Sequence, residues 1–350
     1  MFHELTVAEV RPEGPEAVAI RLDVPEGLRE AFAFRPGQYL TLRAEVGGAD
    51  TRRSYSIASL PGEGLWVGVR HVPGGAFSGF AQALRPGNRL QVMPPEGRFT
   101  DPGCARLLLV AAGSGITPMV SLAGAALARG AAVTLVYGNR GRETIMFREA
   151  LEQLKDRHLD RFTLVHVLSR EEQDVPLLNG RVDGDKIARL AQAGVVDPAG
   201  ADGVFLCGPG EMIDAVEGAC LSLGVAPEKI HHERFFIVGE APARAARSPE
   251  AEAAAADGVT VDVLLDGATR RISMEAGDAS VLDAGERQGL ELPYSCRGGM
   301  CCTCRCRVTE GRAEMAVNYS LEPWELEAGF VLACQARPQT GRLTLDFDAA

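Results

Sequence analysis

The cysteines of this chain are concentrated near its C-terminus, where their spacing could support metal chemistry. Six of the nine fall after residue 295, and four of them follow the pattern Cys-x4-Cys-x2-Cys with a distant fourth member. Two irons bridged by two sulfides need four thiolates, and this is the plant-type [2Fe–2S] spacing. Gly298 and Gly299 would let backbone N–H groups approach the sulfurs. The predicted ligands are Cys296, Cys301, Cys304 and Cys334.

Part of this pattern also fits other chemistry. Cys301-x2-Cys304 alone matches half of a zinc site or a redox pair. Neither alternative accounts for Cys296 and Cys334, so the iron–sulfur interpretation is favoured. The remaining members of the group, Cys302 and Cys306, are predicted to be small buried hydrophobic residues.

A second candidate site is the segment Arg53-Ser54-Tyr55-Ser56, on a predicted strand. A flavin needs an aromatic face, a small donor near N5 and a cation for its phosphates. Taken alone, the segment also fits a strand with a surface arginine, and Gly74-Gly75 fits an ordinary turn. A loop-to-helix junction at 74–78 would bind a pyrophosphate, which favours the flavin. The predicted cofactor contacts here are Arg53, Ser54, Tyr55, Ser56, Arg70, His71, Gly75, Phe77 and Ser78.

A third candidate site begins where the apolar run 107–112 enters Gly113-Ser114-Gly115-Ile116-Thr117-Pro118. Glycines at a helix N-terminus allow close approach of a pyrophosphate, although this is not the full G-x-G-x-x-G motif. Arg140 and Arg142 favour a 2′-phosphate and hence NADPH over NADH, or are solvated surface residues. Cys207 ends another strand and either faces the nicotinamide or is a structural thiol. The predicted contacts are Gly113, Ser114, Gly115, Thr117, Arg140, Cys207, Gly208 and Pro209.

The order of predicted elements divides the chain into four parts. Short strands separated by turn residues over 1–103 predict an antiparallel β-barrel. Alternating strands and helices over 104–238 predict a parallel α/β domain. Residues 239–258 are almost free of large apolar side chains and predict a linker, partly helical through its alanines. Residues 259–350 predict a small α+β domain around the cysteine loop.

Composition excludes several classes of partner and location. A net charge of -11 disfavours nucleic acid and anionic membranes as partners. No apolar run approaches the roughly 18 residues of a membrane helix. The N-terminus lacks a basic start and an apolar stretch, so we predict a cytoplasmic protein.

The motifs RSYS, GGAFS, GSGITP, YGNR and CGPGEM, in this order, resemble the ferredoxin–NADP reductase superfamily. With the cysteine domain, the chain resembles reductase components of bacterial oxygenases. Residues 292–338, including Cys301-Cys302 and AVNYSLEPWE, are similar to the reductase subunits of ring-1,2-phenylacetyl-CoA epoxidases. The resemblance implies a flavin barrel, a nucleotide-binding α/β domain and a β-grasp ferredoxin domain. It also implies FAD, NADPH, a [2Fe–2S] cluster and a di-iron oxygenase as electron acceptor in phenylacetate degradation.

Residue roles follow from the same resemblance. Ser56 would lie near flavin N5, and Cys207 would lie beside the nicotinamide, which makes them the two catalytic candidates. Plant-type members of the superfamily end their reductase unit with an aromatic residue over the flavin, whereas this chain continues through His232–Phe236, so which aromatic residue, if any, covers the flavin stays open. Two other functions remain open: a reductase for a different aromatic-ring or alkane oxygenase, and a general ferredoxin-type electron carrier. The acceptor, the oligomeric state and the domain arrangement also stay open.

Overall fold

The computed structural model describes residues 2–235 and 245–349. The chain forms two compact units that meet in sequence at Gly239 and Glu240. The aromatic segment considered for the flavin extends to Phe236, and the predicted linker begins at residue 239. Phe236 and residues 239–244 lie outside the described residues.

The first unit begins with an antiparallel barrel. Its sheet has the strand order β4-β3-β6-β1-β2-β5, and a bridge from Ile57 to Val67 of the last strand brings the two edges together. Alternate residues such as Leu40, Leu42 and Val69 face a common core. The elements are β1 His3–Pro12, β2 Ala17–Asp23, β3 Tyr39–Val46, β4 Ala49–Ser56, β5 Leu65–Arg70, α1 Ala76–Gln82 and β6 Arg89–Val92.

The same unit continues as a parallel five-stranded sheet with helices. The strand order is β11-β10-β7-β8-β9, so the connections reverse direction between β7 and β10. Ligands of open α/β sheets bind at such a point, beyond the carboxyl ends of the strands. The elements are β7 Arg106–Ala112, α2 Ile116–Ala128, β8 Ala132–Asn139, α3 Arg148–Arg157, β9 Phe162–Leu168, α4 Gly184–Gln192, β10 Gly203–Gly208, α5 Gly210–Ser222 and β11 Ile230–Arg234.

The barrel and the α/β layer share one hydrophobic core. Ala19 and Trp66 of the barrel belong to the same buried cluster as Met119 of α2 and Phe205 of β10. A Cβ on Gly68 of β5 would lie 2.7 Å from side-chain atoms of Thr117 and Phe147. Only glycine fits this close approach, so β5 packs directly against the start of α2 and the residue that precedes α3.

The second unit is an α+β domain with a five-stranded mixed sheet. The order is β13-β12-β18-β14-β16, with β15 and β17 paired separately. Its core includes Cys304, Cys306 and Cys334. The elements are α6 Pro249–Asp257, β12 Val259–Leu265, β13 Ala268–Met274, α7 Val281–Arg287, β14 Arg305–Glu310, β15 Ala313–Met315, α8 Pro323–Glu327, β16 Phe330–Leu332, β17 Ala336–Pro338 and β18 Arg342–Asp346.

The second half of the predicted linker is ordered secondary structure. Ser248 caps α6 by accepting a hydrogen bond from the N–H of Ala251, and Ala251 and Ala254 are buried. The Arg337 guanidinium also donates to the carbonyl oxygen of Ala245 at 2.7 Å. Small apolar side chains thus suffice to pack this helix onto the second unit. Among the described residues, no helix combines the length and apolarity that crossing a membrane requires.

Candidate functional site

The four predicted cluster ligands come together at one edge of the second unit. Cys296, Cys301 and Cys304 lie in the irregular segment between α7 and β14, whereas Cys334 lies between β16 and β17. The thiols of Cys296 and Cys301 are hydrogen-bonded to each other, as are those of Cys304 and Cys334. The four predicted ligands therefore form two pairs, Cys296 with Cys301 and Cys304 with Cys334.

Hydrogen bonds to sulfur lower the pKa of one thiol in each pair and raise the pKa of its partner, Cys301 or Cys304. The hydrogen bond from Cys301 lowers the pKa of Cys296 to about 7, and the bond with Cys304 lowers the pKa of Cys334. Backbone N–H groups add to this, with that of Gly298 3.3 Å from the sulfur of Cys296. The N–H of Gly299, a residue with φ +77°, is directed to Cys334. Such N–H···S bonds also tune the reduction potential of a bound cluster.

The donor set fits two metal ions better than one. In the described part of the chain, no three His, Cys, Asp or Glu side chains surround a point that would hold a single metal ion. A zinc site would need four donors around one centre. Two thiols for each of two irons match the observed pairs, so the arrangement fits a [2Fe–2S] cluster.

Of the two additional cysteines, Cys306 is buried as predicted, whereas Cys302 is only partly buried. The thiol of Cys302, a residue with φ +58°, donates to the carbonyl oxygen of Ser320 at 3.8 Å. Cys306 is fully buried in β14, and its thiol donates to the carbonyl oxygen of Val331 at 3.8 Å. Burial raises the pKa of Cys306 far above its usual range, as expected for a structural thiol.

The predicted flavin segment ends strand β4. Ser56 is buried opposite Tyr39 of β3, and Ser54 lies opposite Thr41. The Tyr55 ring packs against Phe77 with 5.6 Å between ring centroids, and desolvation raises the pKa of its hydroxyl. Arg53 is exposed and donates to the carbonyl oxygen of Arg52 at 2.7 Å. The strand thus presents an aromatic ring, a small hydroxyl and a cation close together.

The side chains of the predicted phosphate loop stabilise its turn and the barrel core, a role that the sequence did not indicate. The Ser78 hydroxyl accepts a hydrogen bond from the Val72 N–H and donates to the Gly75 carbonyl oxygen, both at 3.1 Å. Phe77 belongs to the barrel core, and His71 is exposed. The side chains of Phe77 and Ser78 therefore hold the turn. Only the backbone N–H groups at the start of α1 are suited to a phosphate.

The predicted nucleotide loops meet at the point where the strand order reverses. Gly113–Gly115 form a single 3-10 turn directly after β7. Gly208 ends the adjacent strand β10, and Pro209 follows it. A Cβ on Gly115 would lie 2.2 Å from the carbonyl oxygen of Cys207, so only glycine permits this packing. Thr117 is buried and donates to the Ser114 carbonyl oxygen at 3.0 Å. These contacts hold the turn at the N-terminus of α2, where backbone N–H groups suit a pyrophosphate.

A carboxylate that sequence reasoning missed joins the two catalytic candidates. The Ser56 hydroxyl donates to Glu233 at 3.4 Å. Glu233 lies on β11 beside Cys207 in the register of the parallel sheet. Cys207 is fully buried, and desolvation, followed by the charge of Glu233, raises its thiol pKa. In the sequence, Glu233 was indicated only by its place near a strand end. The aromatic residues beside it were considered for contact with the flavin, whereas Glu233 was not.

The arginines near the carboxyl ends of β8 and β9 are mostly paired. Arg140 forms an ion pair with Glu16, and Arg142 forms one with Glu171 at 3.0 Å. Arg170, which sequence analysis did not select, donates its backbone N–H to the Arg140 carbonyl oxygen at 2.8 Å and has an exposed side chain. Its position two residues beyond a predicted strand was the available signal.

Three family models match successive parts of the chain. They are an oxidoreductase FAD-binding domain over residues 5–100, an oxidoreductase NAD-binding domain over 109–218 and a 2Fe–2S iron–sulfur cluster binding domain over 263–339. These matches confirm the predicted cofactor classes and the order of the domains that bind them. They do not distinguish NADPH from NADH.

Relatives match over nearly the whole chain. One of the subunits of the 1,2-phenylacetyl-CoA epoxidase from Escherichia coli is 45% identical, over 99% of this chain and 98% of that protein. The ferredoxin reductase component of 3-ketosteroid-9-alpha-monooxygenase from Rhodococcus rhodochrous is 36% identical, over 98% of this chain and 96% of that protein.

Solved structures share the fold. Phthalate dioxygenase reductase aligns with a TM-score of 0.58 and 22% identity, over 99% of this chain and 98% of that chain. An intact type IV self-sufficient cytochrome P450 monooxygenase aligns with a TM-score of 0.70 and 21% identity, over 98% of this chain and 41% of that one. The predicted fold class and oxidoreductase activity are thus confirmed, and this chain belongs to the family of flavin- and iron–sulfur-containing reductase components of oxygenases.

Proposed function

We propose that this chain delivers electrons from NADPH to a di-iron oxygenase that epoxidises phenylacetyl-CoA in phenylacetate catabolism. The observation that carries the proposal is the 45% identity to the Escherichia coli 1,2-phenylacetyl-CoA epoxidase protein along both full lengths. The 3-ketosteroid relatives, at 36% or less, share the architecture but less of the sequence. We also propose that the protein acts in the cytoplasm.

The second unit would carry the one-electron centre. Cys296 and Cys301 would bind one iron, and Cys304 and Cys334 the other, because the thiols are already paired in this way. Loading requires all four thiols to lose their protons. When bound, FAD accepts a hydride and releases single electrons that a [2Fe–2S] cluster relays.

In the first unit, Ser56, Glu233 and Cys207 would form the hydride-transfer site. The Ser56 hydroxyl would donate a hydrogen bond to the flavin. Glu233, 3.4 Å away, would accept the proton of this hydroxyl and return it. The buried Cys207 thiol, whose pKa is raised by desolvation, would be neutral and would pack against the nicotinamide. Tyr55 and Arg53 would bind the flavin ring and phosphate, and the turn Gly113–Gly115 the nucleotide pyrophosphate.

NADPH is proposed as the donor because arginines gather near the ends of β8 and β9. Arg170 is adjacent to Arg140 through the backbone, and we assign Arg170 to the 2′-phosphate, which favours arginine where a free ribose hydroxyl favours an acid. The rates of flavin reduction by NADPH and NADH test this assignment. We expect NADPH to react faster and Arg170→Gln to reduce the difference; a preference for NADH would refute it.

The acceptor is tested by reconstitution. The purified holoprotein is combined with the oxygenase subunits of the phenylacetyl-CoA epoxidase, and in parallel with the oxygenase of a 3-ketosteroid monooxygenase. We expect NADPH-dependent product only with the first, and none when Cys301→Ser replaces the wild-type chain. Product formation only with the second oxygenase would overturn the proposed acceptor while leaving the reductase chemistry intact.

A further inference from the structure

A single carboxylate bridges two arginines of the predicted cofactor sites. One oxygen of Glu16, Oε2, accepts from Arg70 Nη2 at 3.2 Å and also from Arg140. Glu16 lies in the β1–β2 connection, whereas Arg70 ends β5 and Arg140 follows β8. The ion pairs thus link the barrel to the α/β layer inside the first unit.

The bridge adjoins the turn expected to bind the nucleotide pyrophosphate. A Cβ on Gly113 would lie 2.6 Å from Arg70 Nη1, so this guanidinium rests directly on the turn. The connection that carries Glu16 is fixed in place, because Glu13 accepts a hydrogen bond from the Phe147 N–H at 2.6 Å. The backbone carbonyl of Glu16 also accepts from the His71 N–H at 2.7 Å. Glu16 is therefore held beside the turn.

The bridged arrangement satisfies Arg140 incompletely. The Nε of Arg140 is buried and has no hydrogen-bond partner among the residues that the structure describes. Although desolvation opposes ionisation of Glu16, hydrogen bonds from Arg70 and Arg140 outweigh it and lower the pKa of its carboxyl. A charged carboxylate thus occupies guanidinium groups that a phosphate would bind bidentately.

We propose that Glu16 is an internal counter-anion that the pyrophosphate of the nicotinamide nucleotide must displace from Arg70 and Arg140. The inference rests on the proposed function in one respect, that this turn binds the nucleotide. Each binding event then breaks carboxylate–guanidinium pairs and each release restores them. Glu16 therefore weakens nucleotide binding and favours dissociation of the oxidised product. Because the contact is with the pyrophosphate, the effect is the same for NAD and NADP.

The test is calorimetric titration of the oxidised holoprotein with NADP⁺ and with NAD⁺. We expect Glu16→Gln to lower both dissociation constants about two- to fivefold, the range for a half-exposed ion pair. Glu16→Asp, which keeps the charge, should remain nearer to wild type. Flavin content and melting temperature verify that each variant is folded. Unchanged or weaker binding by Glu16→Gln, or tighter binding of NADP⁺ alone, would overturn the proposal.

Two controls separate a specific bridge from general electrostatics. Glu171→Gln removes an equal charge from the exposed pair with Arg142 and should change NAD⁺ binding less than twofold. In an Arg140→Gln background, the effect of Glu16→Gln should shrink, because one half of the bridge is already absent. Equal tightening by Glu171→Gln, or an undiminished effect in the double variant, would show a long-range charge effect and refute the bridge. A wild-type protein that bound neither nucleotide would instead refute the proposed function.

Discussion

The ion pair between Arg305 and Glu325 offers a sharp test of how the cysteine loop is supported. Glu325 of α8 is fully buried, and its carboxylate accepts from Arg305 Nε at 2.7 Å. Arg305 directly follows the predicted ligand Cys304, and its guanidinium stacks on Phe330 at 3.5 Å. The second carboxylate oxygen accepts from the Glu322 N–H at 3.0 Å, at the start of the helix. The pair thus joins α8 to the strand that continues from the cluster loop.

Replacing Glu325 by alanine leaves Arg305 largely buried without its carboxylate. Removing one partner of a buried ion pair costs about 3–5 kcal/mol, far more than the pair itself contributes. With a urea dependence of about 1–3 kcal/mol per molar, the unfolding midpoint of the second unit should fall by about 1 M or more. The measurement is the urea dependence of the visible absorption of the bound cluster at wavelengths longer than those absorbed by oxidised flavin, which reports on this unit alone.

Glu327→Ala is the matched control, because it removes a carboxylate from the same helix at an exposed position. Exposed substitutions of this kind stay within about 0.5 kcal/mol. The reasoning would be refuted if the two variants shifted the midpoint equally, or if Glu325→Ala shifted it by less than about 0.3 M.

Three further predictions concern the redox sites and the pH dependence of stability. Cys301→Ser should abolish the visible absorption of the cluster while Cys302→Ser retains it; a normal spectrum from the first variant would contradict the ligand assignment. Ser56→Ala and Glu233→Gln should each slow flavin reduction by NADPH about 100-fold in stopped-flow experiments, with normal flavin content, and a change below twofold would remove both from the proton path. Burial lowers the pKa of His166 below its ordinary 6.5, so the unfolded chain binds more protons below that pH and stability falls on acidification. Urea midpoints at pH 7.5 and 5.5 should therefore differ less in His166→Gln than in the wild type, and an equal difference would assign the acid sensitivity to other groups.

The features predicted from the sequence are those set by local spacing. The loop holding Cys296, Cys301 and Cys304 and the turn Gly113–Gly115 each lie within about ten residues, so motif and geometry coincide. Glu233 was missed because it reaches Ser56 across 177 residues of sequence. Such pairing depends on which strands become neighbours. Helix α6 was expected within a linker because its alanines carry little apolar surface, yet close packing buries Ala251 and Ala254.

The core shared by the barrel and the α/β layer limits where the chain can be divided to make chimeric proteins. Trp66 of the barrel and Met119 of α2 are buried in one common hydrophobic cluster. Cutting the chain near residue 103 and separating the two parts would expose both side chains. Because Gly68 has no Cβ, β5 approaches Thr117 so closely that an added methyl group would clash. The flavin-binding part of one relative would therefore not fit the surface of the nucleotide-binding part of another. Chimeric reductases should therefore inherit residues 1–235 as one piece. The ferredoxin unit, with its own core, is the part suited to exchange between oxygenase systems.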